Sequence, residues 1–140
     1  MMRLSTKGRY GLQAMYELGK NFGEEPLPLS EIAKVTELPV GYLEQLIRKL
    51  KKDDLVDSTR GPKGGYFLKR DPKDITIGDI LRSLEDFFGV TECSNESGVC
   101  GKENSCPSRL VWIAIADEIN KKIDSMTLQD MVDGNIKRTR

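Results

Sequence analysis

Three thiols and the absence of any imidazole set the chemical range of this chain. Cys93, Cys100 and Cys106 all fall within residues 89–107, GVTECSNESGVCGKENSCP. Gly, Ser, Asn and Glu dominate that stretch and apolar residues are few, so it has no hydrophobic reason to order itself. The spacing Cys93-x6-Cys100-x5-Cys106 lacks the paired CxxC pattern of common zinc sites. Three thiolates on such a loop suit a soft metal or an iron–sulfur cluster, and metal–sulfur bonds would supply the missing ordering energy. Three reduced thiols, or one disulfide with a thiol to spare, fit the same residues equally well. Without histidine, no Ser-His-Asp or Cys-His nucleophile can be assembled, and no glycine-rich phosphate loop opens a helix after a strand. The reading is therefore a non-enzyme with no catalytic residues.

A second chemistry lies in residues 38–70, LPVGYLEQLIRKLKKDDLVDSTRGPKGGYFLKR. Leu43, Leu46, Ile47 and Leu50 recur at i, i+3, i+4 and i+7, which predicts a helix over 40–52. If they face inward, Gln45, Arg48, Lys49 and Lys52 face solvent. Two short strands are expected at 55–59 and 66–69. The turn between them, Arg60-Gly61-Pro62-Lys63-Gly64-Gly65, carries two cations and three glycines. A basic-faced helix followed by a basic-tipped hairpin reads as a winged helix that grips nucleic acid. Gln45, in the first half of the helix, offers a paired donor and acceptor that suit adenine. Arg48, Lys49, Lys51 and Lys52 suit phosphates, which fix register without reading sequence. Arg60 and Lys63 at the hairpin tip could reach a minor groove or the backbone.

The elements that must position these groups follow from pattern. Ser5 or Thr6 is expected to cap a first helix running to about Asn21, with Gly23 as its stop and Leu12, Met15, Leu18 and Phe22 inward. Lys7 and Arg9 in its first turn oppose the helix dipole, a misfit that contact with phosphate would explain. Ser30 is expected to cap a short helix over 31–36 that buries Ile32 and Ala33. With the 40–52 helix it forms a helix-turn-helix, the second helix being the reader. Asp71-Pro72 breaks the chain, and Thr76 caps a helix to about Asp86 with Ile77, Ile80, Leu81 and Leu84 on one side. A long helix over 108–125 carries Trp112, Ala116, Ile119 and Ile123 in one stripe, the expected interface with a second copy of the chain. Thr127 to Asp130 resembles a capping box for a last short helix.

Net charge is zero, but the two halves differ. Residues 1–70 hold 13 Lys and Arg against 9 Asp and Glu, a net of +4, and residues 71–140 hold the reverse, a net of −4. No apolar run approaches a membrane span and no secretory signal opens the chain, so a cytoplasmic protein is expected, with no membrane partner.

The segments MRLSTKGRYGLQAM, YLEQLIRKLKKDDLV, RGPKGGYFL and DITIGDILRSLE, in that order, resemble the IscR-type regulators of the Rrf-two family of bacterial winged-helix transcription factors. The resemblance spans residues 2–132. It implies a homodimeric repressor or activator bound to a double-stranded, imperfectly palindromic operator, with Cys93, Cys100 and Cys106 ligating a [2Fe-2S] cluster. It implies DNA contacts from Tyr42, Glu44 and Gln45 on the reading helix and Arg60 on the wing. Gly41 stands where these proteins can carry serine. Glu44 repels phosphate yet can accept from cytosine N4, and so could filter between classes of site. Two departures stand out. The first cysteine interval is one residue longer than the five-residue gap of the family, and its histidine ligand is replaced by Arg109. A fourth donor could come from Glu92, Glu96, Glu103, Ser108, a partner subunit or an external thiol.

The expected fold is mainly α with a small β-hairpin. Residues 1–86 form a winged helix-turn-helix domain, 87–107 the cluster loop, 108–132 a dimerisation helix and short terminal helix, and 133–140 a disordered basic tail. The alternatives are a thiol-redox or zinc-dependent winged-helix regulator, for example of cysteine metabolism, and a partner-binding regulatory module.

Overall fold

The computed structural model describes residues 5–85 and 107–138. In chain order these form α1 (Thr6–Lys20), α2 (Leu29–Thr36), α3 (Val40–Lys52), β1 (Val56–Thr59), β2 (Gly65–Leu68), a 3-10 turn (Pro72–Asp74), α4 (Ile77–Leu84), α5 (Arg109–Ser125) and α6 (Leu128–Val132). The fold is mainly helical with one two-stranded antiparallel hairpin.

Helix α3 is the best specified element. Leu43, Leu46, Ile47 and Leu50 are all 0–1% exposed and lie in the same core as Met15, Leu18, Ile32, Ile80, Leu84 and Leu128. Glu37 closes α2 in the left-handed conformation at φ 59°, and Pro39 precedes the first turn of α3. A proline cannot extend α2 but tolerates the start of the next helix, so the turn of the helix-turn-helix is short and directed. Leu50→Ala removes a side chain with no exposed area from the middle of this packing. The expected cost is about 2–5 kcal/mol, read as a lowered urea midpoint with an unchanged slope.

The hairpin pairs Val56 with Leu68 and Thr59 with Gly65. Leu27 and Tyr66 exchange both backbone hydrogen bonds at 2.8 Å, tying the connector before α2 to the wing. This contact requires glycine at position 65, where a Cβ would overlap the Leu27 carbonyl and the Pro28 nitrogen. Farther along, Thr76 and Asp79 form a complete capping box at the start of α4, and Thr127 and Asp130 form another at α6. Arg82 on α4 makes a bidentate pair with Asp124 on α5 at 2.7 and 2.9 Å and also donates to Asn120. The hydrogen bonds from Asp124 hold the Arg82 guanidinium above its already high ordinary pKa.

Several local expectations are corrected. Phe22 is exposed; Met15 and Leu18 are buried and Leu12 packs on the core as expected, and Gly8, Gly11, Ala14 and Gly19 join them on the inward face of α1. The short helix begins at Leu29 after Pro28, so Ser30 is not its cap. Leu55 is buried just before β1, β2 begins one residue earlier than expected, and α4 ends at Leu84. On α5, Ala116 and Ile123 are buried within the chain, and Ile123 belongs to the core. Trp112 and Ile119 are half-buried. Ala116 and Ile123 of the stripe thus close on the chain itself, while the exposed large apolar residues of this helix are Leu110, Val111 and Ile115.

Candidate nucleic-acid interface

Burying the four aliphatic residues of α3 turns Glu44, Gln45, Arg48, Lys51 and Lys52 to the surface. Arg48 and Glu44 lie 3.8 Å apart, one helical turn from each other, with both side chains more than half exposed. Such a pair holds its partners loosely and leaves both available to another ligand. Gln45 is exposed between them in sequence. A Cβ at Gly41 would meet open space, so the first turn of the helix presents bare backbone. Lys51 donates to the Ser58 hydroxyl at 2.8 Å, joining the last turn of the reading helix to the first strand of the wing.

Lys49 departs from expectation. It is half-buried, its Nζ donates to the Leu84 carbonyl at 3.5 Å, and its own carbonyl accepts from the Ser83 hydroxyl at 3.3 Å. It faces the end of α4, because it follows Leu46 by three residues and so shares the edge of the inward stripe. Arg48 and Lys52 are the cations of α3 that the outward face carries, together with Lys51.

At the wing, Arg60 and Lys63 are exposed, and Lys63 lies 3.9 Å from Glu25 with both side chains at least three-quarters exposed. Gly61 adopts φ 111°, and its carbonyl accepts from the Gly64 N–H at 2.9 Å, closing the tip. At the other border of the face, Tyr42 donates to the Thr6 hydroxyl at 2.9 Å and packs edge-on against Tyr10, with ring centroids 6.1 Å apart. The Arg9 guanidinium lies over that same Tyr10 ring at 5.6 Å. The first turn of α1, with half-buried Lys7 and exposed Arg9, is thereby joined to the start of the reading helix. The structure brings Tyr42, Glu44, Gln45, Arg48 and Lys52 together on α3, with Arg9 tied to that helix through the Tyr10–Tyr42 contact. The wing cations stand on the hairpin that Lys51 joins to the helix.

The resolved pKa shifts serve architecture rather than this face. The Lys69 ammonium, hydrogen-bonded at 2.9 Å, holds the Asp54 carboxyl below its ordinary value, and Asp54 raises Lys69 in return, at the base of the hairpin.

A protein-family model described as Rrf2, iron-dependent transcriptional regulator, matches residues 4–134. The chain belongs to the Rrf2 family. The HTH-type transcriptional regulator IscR of Sodalis glossinidius (strain morsitans) is 35% identical over 131 residues, covering 94% of this chain and 79% of that protein. The HTH-type transcriptional regulator CymR of Bacillus subtilis (strain 168) is 42% identical over 130 residues, covering 93% of this chain and 89% of that protein. The solved structure of CymR, the global cysteine regulator of B. subtilis, superposes with a TM-score of 0.79 at 41% identity, covering 96% and 98% of the two chains. T. potens IscR superposes at 0.77 with 38% identity, covering 99% and 94%. This Rrf2 protein is thus a winged-helix transcriptional regulator and not an enzyme.

The remaining sequence-derived site lies elsewhere. Cys93, Cys100 and Cys106, with Glu92, Glu96 and Glu103, fall outside the described residues. Among the described residues no group of three His, Cys, Asp or Glu is placed to hold a metal ion, and no helix is long and apolar enough to cross a membrane. The Arg109 Nε is buried and has no hydrogen-bond partner among the described residues. Sequence reasoning missed the contacts that bind the face together, namely Tyr42 to Thr6, Lys51 to Ser58 and Lys49 to Leu84. Each joins a side chain of α3 to a group on another element, in one case a backbone carbonyl, which no local pattern marks.

Proposed function

We propose that this chain is a homodimeric, cytoplasmic, operator-binding regulator whose three cysteines hold a [2Fe-2S] cluster and report iron–sulfur or redox status, controlling iron–sulfur biogenesis genes. The observation that carries this reading is the donor set: three thiols within residues 93–106 of a chain whose family is described as iron-dependent. Three thiolates and one oxygen or external thiol complete the four terminal ligands such a cluster takes. Arg109 cannot ligate, but its buried Nε–H, unpartnered among the described residues, is a cationic donor that suits a neighbouring anionic centre. When bound, the cluster supplies a one-electron redox change, and the protein's part is to hold it and convert its state into DNA affinity.

In this reading Gln45 and Glu44 meet base edges, while Arg48, Lys52, Arg60, Lys63, Lys7 and Arg9 meet phosphates of an imperfectly palindromic duplex. The Tyr42 hydroxyl can still accept, since its proton is directed to Thr6. Lys49 leaves the phosphate set because it is engaged with α4. The second copy packs on the exposed Leu110, Val111 and Ile115 of α5.

A second reading draws support from the 42% identity to CymR: the same DNA-binding dimer with the cysteines as a thiol or zinc switch in cysteine metabolism. Anaerobic absorption spectra, with iron and acid-labile sulfide assayed on the same sample, separate the two. Matched iron and sulfide in a brown protein support the cluster, and a protein that stays colourless after reconstitution supports the switch. The division of DNA roles has its own test. Gln45→Ala should cost about 1–3 kcal/mol at one base position and relax preference there, whereas Lys52→Ala should weaken all duplexes alike and reduce the salt slope by about one. Salt-dependent anisotropy on a panel of point-substituted duplexes measures both, and identical behaviour of the two variants contradicts the assignment.

A further inference from the structure

The last residues of α4 hold both helices of the DNA-facing surface. Ser83 and Leu84 exchange hydrogen bonds with Lys49 on α3, through the Ser83 hydroxyl and the Leu84 carbonyl. The Leu84 side chain lies where a Cβ at Gly11 of α1 would fall. Glu85, the next residue, accepts at Oε1 from both the Ser5 N–H at 3.0 Å and the Ser5 hydroxyl at 2.8 Å. The same oxygen sits over Gly8, in space that any side chain there would take.

This arrangement replaces an ordinary helix cap. Ser5 is the N-cap residue of α1, yet its side chain makes no capping bond, and the first turn contains no acidic residue. A helix N-terminus that also carries Lys7 and Arg9 favours a negative charge, and Glu85 delivers it from 80 residues away. Thr6, adjacent to Ser5, accepts from Tyr42 on the reading helix at 2.9 Å. A continuous path therefore runs from Glu85 through Ser5 and Thr6 to Tyr42.

We propose that Glu85 is a positioning residue for DNA recognition: a carboxylate cap supplied by the end of α4 that fixes the first turn of α1 and, through Thr6 and Tyr42, the seating of the reading helix. This positioning role does not depend on the cysteines being the sensor.

The test uses the full chain and two fluorescent duplexes of equal length, one recovered by selection from a random library with the wild-type protein and one scrambled. Glu85→Ala removes the cap. Gly8→Ala displaces the carboxylate while keeping Glu85 and improving helix propensity. Each should weaken the selected duplex about tenfold, in line with the loss of a cap, and leave the scrambled duplex almost unchanged. Glu85→Gln, which keeps an acceptor oxygen but not the charge, should recover part of the affinity lost in Glu85→Ala. Adding Thr6→Val to Glu85→Ala should cost little more, because both act on one path. An unchanged ratio between the duplexes, additive losses, or an equal fall on both duplexes with a lowered melting temperature would overturn the proposal. The two readings fail separately. Colourless protein with these DNA results removes the sensor and leaves Glu85 in place, and coloured protein with an unchanged duplex ratio does the reverse.

Discussion

Cys100→Ala should yield a folded protein that cannot be made brown. Reconstituted anaerobically, the wild type is expected to carry about two iron and two sulfide per chain, the stoichiometry of the cluster. The variant should carry almost none, because a [2Fe-2S] centre that already draws only three ligands from cysteine has no thiol in reserve. The melting temperature, compared with that of cluster-free wild type, checks that the variant retains the core of α1 to α6 and β1–β2. The regulatory consequence follows from linkage. If the cluster shifts operator affinity by about 5–150-fold, the usual range for coupled sites, that shift disappears in the variant and both preparations bind alike. Cys93→Ala and Cys106→Ala should behave the same way. A variant that keeps the wild-type spectrum and iron content would remove Cys100 from the ligand set. A wild type with no colour at all would move the three thiols to the switch reading.

What the sequence disclosed, and what it did not, divides along the range of the interaction. The reading helix was legible because Leu43, Leu46, Ile47 and Leu50 repeat at helical spacing and all four are buried. The Thr76 cap and the Thr127 capping box were legible because donor and acceptor are three residues apart. The wing was legible from its glycines, and the family from four motifs in order. Met15 and Leu18 on α1 were legible, but the rest of its inward face was not, because Gly8, Gly11 and Ala14 carry little hydrophobic signal, while Phe22 carries much and is exposed. Small residues enter a core when another helix approaches closely, and that depends on Leu84 and Glu85, more than 70 positions along the chain. The expectation that Lys49 faces solvent failed for a related reason. A lysine at the edge of an apolar stripe looks solvated until the carbonyl that receives it is known. On α5 the difficulty was an excess of signal. Apolar residues occupy more than one side of the helix, so the periodicity marks two stripes without indicating which one the molecule's own core covers.

That ambiguity carries the second large effect. Val111 and Ile115, one helical turn apart on α5, are 52% and 40% exposed, and Leu110 beside them is 72% exposed. If a second copy covers this face, Val111→Glu combined with Ile115→Glu buries unpaired carboxylates on both sides of a symmetric contact. An unpaired charge without a partner costs several kcal/mol at each site, and two-fold symmetry doubles the count. The dimer should dissociate at micromolar concentration, and sedimentation velocity should return the 15.7 kDa mass of a single chain. Each monomer should still melt cooperatively, because Ala116, Ile123 and the Arg82–Asp124 clamp keep α5 on its own domain. Operator affinity should fall by at least about a hundredfold, since linking two half-site contacts contributes about two to four orders of magnitude beyond either alone. Binding to a duplex with a single half-site should barely change, which distinguishes lost linkage from a damaged reading helix. Ile123→Ala provides the contrast. Its side chain belongs to the core, so it should lower the melting temperature while leaving the assembly dimeric. A doubly substituted protein that remains a dimer would place the symmetric contact on another surface, and the exposed apolar face of α5 would then need a different occupant.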